Sequence, residues 1–478
     1  MNNIYTMKRT KIVATLGPAS TKKEVLRKMI EEGLNVCRLN FSHGGHDGHL
    51  EAIKIIRELN QEMGLNVAIL ADLQGPKIRT HEMENNGVEL VKDAVINITT
   101  NKVLGTAQRF SINYEQLPQD VNAGELILLD DGKLMLEVID TNKKDEFRAK
   151  VVHGGILSSK KGVNFPNTAI SMPCLTEKDL IDLEFALDHE VDWIGLSFVR
   201  NQSDILELKK IIADRNAIAK VIAKIEKPEA VKDIDEIIAV SDALMVARGD
   251  LGVEVPYQNV PLIQKMIINK ARLNAKPVIV ATQMMESMIT NMSPTRAEVN
   301  DVANAVLDGA DAVMLSGETS VGAHPIQVIK TMANIVKEME TFENIYNKEE
   351  IPEKNHERFI TDSICFNACR LSQRVEAKAI LTMSFSGYTA YKIASQRQKA
   401  PIYVFTSNRS ILTQINLIWG VNGFYYDRRI STDDTISDIK SILKSKGLVE
   451  TGDLVINIAS IPLEDLGKSN MLKLSTVD

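Results

Sequence analysis

Short apolar runs rich in β-branched residues recur along the chain, each followed by a polar or glycine break and then an amphipathic stretch. The runs are KIVATL (11–16), VCRLNF (36–41), VAILADL (67–73), WIGLSFV (193–199), KVIAKIE (220–226), ALMVARG (243–249), PVIVATQ (277–283) and AVMLSGE (312–318). Between them lie helical patterns such as KKEVLRKMIEEG, SDILELKKIIADR and PTRAEVNDVANAVLDG. Continuously apolar strands that alternate with helices predict a parallel sheet buried on both faces. Eight such units predict a (β/α)8 barrel rather than a doubly wound open sheet.

The alternation stops after VAILADL. From about residue 74 to 170 the pattern holds only short alternating runs and turns, and LILLDDGKLMLEVID predicts a hairpin with Asp131-Gly132 at a tight turn. This stretch is expected to be an all-β domain (74–170) inserted after the third barrel strand, where a lid over the rim is its natural role. The barrel itself is expected to take residues 1–73 and 171–345. A charged connector, NKEEIPEKNHERF, then leads to a third α/β domain (346–478) with strands in AKAILTM, PIYVFTS, GFYYD and DLVINIAS. Regulation or assembly is its expected use.

Composition narrows the partners. Of 478 residues, 44% are apolar and 25% charged, with a net charge of −7 and no basic runs, so neither a nucleic acid nor another polyanion is expected as a surface partner. No apolar stretch reaches the roughly 18–20 residues of a membrane helix, and the amino terminus lacks a signal-peptide pattern. Cys37, Cys174, Cys365 and Cys369 are irregularly spaced, which predicts free thiols in a reducing compartment, the cytoplasm. Cys365 and Cys369, four apart in a helical pattern, read as small buried hydrophobes.

The chemistry gathers at the ends of the strands, where barrel enzymes place their catalytic groups. Strand two ends in Arg38, Asn40 and Ser42, which alternation puts on one side. Strand three ends at Asp72, with Arg79 beyond. Strand five delivers Lys224 and Glu226, strand six Arg248-Gly249-Asp250, strand seven Thr282-Gln283 and strand eight Ser316-Gly317-Glu318. Glu226 and Asp250 come from neighbouring strands, and two carboxylates without His or Cys favour a hard cation, Mg2+ or Mn2+. Ion pairing with Lys224 and Arg248 is the bland alternative. Lys224 is either a Schiff-base amine or an electrostatic group; a carboxylate two residues away keeps it protonated and argues for the second. Arg38 and Arg79 are cationic forks suited to phosphate or carboxylate oxygens. Gly249 lets backbone approach a ligand, and its amides are expected to open an anion site on the following helix. HGGHDGH (43–49) spaces three histidines by three, yet the loop is glycine-rich and no closing ligand follows, so zinc is not assigned. There is no Walker A sequence and no dinucleotide fingerprint.

In order, CRLNFSHG, ADLQGPKIRT, KKGVNFP, AKIEKPEA, MVARGDLGVE, ATQMMESM and SPTRAEVNDVANAVLDGADAVMLSGET resemble the pyruvate kinase family over essentially the whole chain. The resemblance implies phosphoryl transfer from phosphoenolpyruvate to ADP, giving pyruvate and ATP. It implies that Glu226 and Asp250 hold the divalent metal and that Lys224 and Arg38 neutralise the phosphoryl group in flight. Gly249, Asp250 and Thr282 would hold the substrate carboxylate. Thr282 and Ser316 would relay the proton to enolpyruvate through water, with the donor left open. Asn40, Ser42, His43, Arg79 and Lys161 would face the nucleotide or its second metal.

Two departures stand out within the resemblance. Many members carry Glu where this chain has Lys77 and need potassium; Lys77, near Asp72, implies a built-in monovalent charge and activity without K+. TMSFSGYT (382–389) stands where the family has a sugar-phosphate loop, so Thr382, Ser384, Ser386, Gly387 and Thr389 are candidates to cradle a sugar phosphate or AMP. Tyr388 there replaces a common arginine, and an ordinary strand-to-helix turn is the competing reading. The resemblance further implies a homotetramer. Two other functions compete: a metal-dependent barrel lyase of pyruvate-like acids, and a non-catalytic nucleotide-sensing relative. The inserted lid argues against the first, and the presence of Lys224, Glu226 and Asp250 against the second.

Overall fold

The computed structural model describes residues 8–168, 170–354, 357–428, 431–461 and 468–478. Eight parallel strands close into a barrel: β1 (Lys11–Thr15), β2 (Val36–Asn40), β3 (Ala68–Asp72), β4 (Trp193–Leu196), β5 (Lys220–Ile225), β6 (Ala243–Ala247), β7 (Val278–Ala281) and β8 (Ala312–Leu315). Each strand lies within one of the eight apolar runs. β1 pairs with both β2 and β8, from Val13 opposite Val36 to Lys11 opposite Ala312, which closes the ring. Apolar side chains pointing both ways explain the absence of polar alternation. Val13, Leu70, Trp193 and Met245 fill the interior, while Ile12, Ile69, Ile194 and Val246 pack against the surrounding helices.

Between β3 and β4 the chain builds a six-stranded sheet, ordered 163–164, 126–129, 134–141, 146–153, 95–99, 109–111, and a two-stranded ribbon of 87–90 with 155–158. This lid has its own core around Phe110 and Phe147. The predicted hairpin is present, but its connection is longer than a two-residue turn. Asp130, Asp131 and Gly132 all take positive φ (50°, 56° and 83°), so the loop runs from Asp130 to Lys133. Asp and Gly tolerate that region better than other residues do.

The third domain is a five-stranded sheet ordered 421–425, 402–406, 379–383, 454–459, 471–476, the last strand antiparallel. That last strand, MLKLST, is not evident from the pattern because it is an edge strand with few buried positions. The four cysteines are free and buried, and burial pushes the Cys365 thiol up to about 12. Asn355 and His356 of the connector lie outside the described residues.

This domain forms the floor of the barrel. Leu417 joins the barrel's interior cluster from below. Lys11 Nζ donates to the Val421 carbonyl at 2.7 Å, and the Arg397 guanidinium donates to both oxygens of Asp311 at 3.1 and 3.0 Å. Asp192, at the foot of β4, accepts from the Ile69 amide at 2.7 Å and from the Thr413 hydroxyl of the third domain. Burial pushes its carboxyl up to about 6, against the pull of those hydrogen bonds and of Arg57.

A carboxyl that binds its proton more tightly when folded stabilises the fold below its ordinary value near 4, and that contribution is lost as pH rises through about 6. Asp192→Asn does not titrate; its oxygen can still accept the Ile69 amide, while its NH2 turns donor toward the Thr413 hydroxyl. The melting temperature of the variant, relative to wild type, should therefore climb from about pH 5 to about pH 7. A difference that stays flat across this range would refute the assignment.

Candidate active site

The carboxyl ends of β2, β3 and β5 bring Arg38, Asp72, Lys224 and Glu226 into one cluster. Asp72 is its centre and is 1% exposed. Arg38 Nε donates to its Oδ2 at 2.6 Å, while Lys224 Nζ lies 3.1 Å from Oδ1. Lys224 also lies 3.0 Å from Glu226 Oε1 and donates to the Ser197 hydroxyl at 2.6 Å. Arg38 is braced on its other side by Thr15 Oγ1 at 2.8 Å. Small residues make room for this arrangement: a Cβ at Gly195 would stand 3.0 Å from Asp72 Oδ1.

The charges tune each other. Burial opposes ionisation of Asp72, yet Lys224 and Arg38 hold its carboxyl below the usual range. Burial likewise disfavours the Lys224 ammonium, but Asp72 and Glu226 outweigh it and raise the group above its ordinary value. Carboxylates at 3.1 and 3.0 Å favour the charged ammonium, which is a poor imine-forming nucleophile, so the geometry favours the electrostatic role over the Schiff base. Burial pushes the Glu226 carboxyl up, helped by Asp250 and opposed by Lys224. Its Oε2 accepts the Phe198 amide at 2.8 Å, made possible by Phe198 at φ 56°.

Asp250 sits in the first turn of the short helix Arg248–Glu254, directly after β6. Its partner is Lys77, with Nζ 3.4 Å from Oδ1; Lys77 is not paired with Asp72, whose oxygens face Arg38 and Lys224. Arg248 turns away from the cluster, forking onto Asp301 at 2.6 and 2.7 Å and donating to the Thr282 carbonyl. The Gly249 amide, expected to be a free anion donor, instead donates to Thr282 Oγ1 at 2.7 Å. Thr282 holds a positive φ of 73°, unusual for a β-branched residue and a local strain at the end of β7. Its hydroxyl in turn donates to the Ala281 carbonyl at 2.6 Å. The Ser316 amide donates to Glu318 at 2.7 Å.

The remaining candidates stand apart from this cluster. Asn40 caps the Ser42 amide at 3.1 Å, and His43 is exposed. His46 bonds Asp182 at 2.8 Å and stacks on Phe185, while the His49 ring lies 4.4 Å from that of Phe41. His46 and His49 thus spend their rings on Phe185 and Phe41, and among the described residues no three His, Cys, Asp or Glu side chains form a metal-sized group. Arg79 and Lys161 lie in the inserted domain, with Arg79 donating to the Lys160 carbonyl at 3.2 Å and Lys161 paired with Asp130 at 2.8 Å. In the third domain, Thr382 donates to Thr389, both buried. Ser384 and Ser386 accept the amides of Gly387 and Tyr388, and Tyr388 donates to Asp362.

Two residues of the cluster escaped the reading of the sequence, Thr15 and Ser197. Both are the polar residues at the carboxyl ends of their runs, so the rule that found the others also applies to them.

Fold and rim together define a three-domain barrel enzyme, with interlocked cations and carboxylates beneath a β-lid. The family profile described as pyruvate kinase, barrel domain, matches residues 7–329, and that for the pyruvate kinase alpha/beta domain matches 362–475. A pyruvate kinase of Geobacillus stearothermophilus is 43% identical over 98% of this chain and 80% of its own length. One of Bacillus licheniformis is also 43% identical, over 98% and 81%. A solved pyruvate kinase from Cryptosporidium parvum superposes with a TM-score of 0.93 at 34% identity, covering 100% of this chain and 98% of that one.

The chain belongs to the pyruvate kinase family. It is an enzyme that transfers the phosphoryl group of phosphoenolpyruvate to ADP, giving pyruvate and ATP, and the lyase and non-catalytic readings fall away. The family is divalent-metal dependent. No helix among the described residues is long and apolar enough to cross a membrane.

Proposed function

We propose that the Arg38–Asp72–Lys224–Glu226 cluster is the phosphoryl-transfer centre of this pyruvate kinase. The observation that carries this reading is the ammonium of Lys224, buried among carboxylates and raised above its ordinary value, beside the fork of Arg38. Phosphoryl transfer asks chiefly for positioning and charge stabilisation, and two fixed cations supply both. Glu226 and Asp250 form a hard, all-oxygen donor pair, and the upward push on the Glu226 carboxyl is what a bound cation would relieve. Together they would hold Mg2+ or Mn2+, with water and substrate completing the sphere. When bound, the cation supplies positive charge to the transferring oxygens. Thr282, Asp250 and the backbone beside Gly249 hold the substrate carboxylate. Thr282 and Ser316 carry the proton toward enolpyruvate through water. Asn40, Ser42 and His43 face the nucleotide from the barrel, and Arg79 and Lys161 from the lid, which must swing over it.

Lys77 brings a tethered ammonium to the carboxylate Asp250, read here as a metal ligand, at the position where the family resemblance implies Glu in potassium-dependent members. The charge that potassium supplies elsewhere is thus part of this chain, and activity should not require K+. Subcellular place and assembly rest on the family resemblance alone: a homotetramer in the cytoplasm, with the loop 382–389 receiving a sugar phosphate or AMP. The exposed Ser386 and half-buried Ser384 are the hydroxyls best placed to do so, because Thr382 and Thr389 face each other.

Pyruvate release from phosphoenolpyruvate, ADP and Mg2+ tests the centre and the monovalent charge together. Wild type should be equally active in sodium or tetramethylammonium buffer with and without K+. Lys224→Met should lose at least about 100-fold in kcat, and Lys77→Glu should become K+-dependent. Strong K+ stimulation of wild type, or an active Lys224→Met, contradicts the reading. For the third domain, replacing Ser384 and Ser386 by Ala should abolish the response to sugar phosphates or AMP; an unchanged response to every effector would remove the loop as their site.

A further inference from the structure

Glu254 is a buried carboxylate that the reaction outlined above does not use. Its side chain is 1% exposed. Lys227 Nζ donates to its Oε1 at 2.6 Å, and Asn164 Nδ2 donates to the same oxygen at 2.8 Å. Oε2 is buried without a partner. A carboxylate so incompletely satisfied is a poor way to fill space, since an apolar side chain would serve packing better. Its place in the chain suggests another role. Glu254 ends the helix that begins beside Asp250, and lies four residues, about one turn, after it. Lys227 directly follows Glu226. Asn164 belongs to the lid, in the strand 163–164.

We infer that Asn164, Glu254 and Lys227 are positioning residues that latch the lid to the two elements carrying the cation-binding carboxylates. A single oxygen receives the lid from one side and the segment after Glu226 from the other, so the lid cannot shift without disturbing the short helix that holds Asp250. Two further approaches lie on the same seam. A Cβ on Gly132, in the lid hairpin loop, would stand 3.9 Å from Val253, and Lys77, at the start of the inserted domain, lies 3.4 Å from Asp250. The lid carries Arg79 and Lys161, so its seating sets how ADP is held. This inference rests on reading Glu226 and Asp250 as the cation ligands.

The test uses full-length enzyme and three variants. Asn164→Ala removes the donor and should raise the KM for ADP about tenfold, with a smaller change in kcat. It should also speed amide exchange in lid peptides covering residues 126–134 and 159–165 of the metal-free protein. Asn164→Asp sets two carboxylates against each other and should be worse than Ala. The double variant Asn164→Asp with Glu254→Gln reverses donor and acceptor, and should recover most of the ADP affinity and the slow exchange. A role in stability alone predicts no such rescue.

Unchanged KM and exchange in Asn164→Ala, or failure of the reversed pair to recover, overturns the latch. Mn2+ titration of wild type by calorimetry judges the cation reading separately. If Mn2+ does not bind while exchange responds as expected, the latch stands and the ligand assignment falls.

Discussion

Everything at the rim depends on one buried carboxylate held between two cations. Asp72 faces Arg38 with one oxygen and Lys224 with the other. Without it, two like charges would sit side by side and repel each other in a desolvated pocket, with only Glu226 and Ser197 left on Lys224 and Thr15 on Arg38. With it, both are fixed in orientation and kept charged. The pocket holds three cations, Arg38, Lys77 and Lys224, and three carboxylates, Asp72, Glu226 and Asp250, so the resting cluster is close to neutral. On the proposed assignment, a divalent cation and a doubly charged phosphoryl group would enter as a matched set.

The rest of the fold supports this cluster from below and covers it from above. Strand ends project the charged side chains from a ring whose hydrogen bonds and apolar interior leave little freedom. The third domain closes the opposite end through Leu417, Lys11 and the Arg397–Asp311 pair. Above the rim the lid is a separate body with its own core, attached through two crossings and a few polar contacts. A packed base under a separately folded cover suits a transfer that must exclude water yet admit a nucleotide.

Much of this was legible from the chain because a parallel barrel writes its strands as uninterrupted apolar runs and its site as polar residues where those runs end. Asp72, Lys224, Glu226 and Asp250 could be found that way. Partnerships could not. Lys77 was expected near Asp72 and instead meets Asp250; the Gly249 amide was expected to be free and is taken by Thr282. Both depend on how loops after different strands fold over one another, a tertiary matter with no periodicity to betray it. Thr15 and Ser197 obey the same strand-end rule, but their partners Arg38 and Lys224 come from other strands, and Asn164 and Glu254 become neighbours only once the lid is seated. The edge strand 471–476 was missed because exposure removes the alternation that marks other strands.

The central claim is that Asp72 keeps Arg38 and Lys224 in working order without itself touching the substrate. The most direct measurement is kcat/KM for phosphoenolpyruvate in Asp72→Asn, taken at a temperature where circular dichroism shows the variant folded. The change keeps the shape and removes the charge between the two cations. The account predicts a fall of at least about 100-fold. A value within about twofold of wild type would show that the cations hold themselves in place, and that the carboxylate between them is incidental.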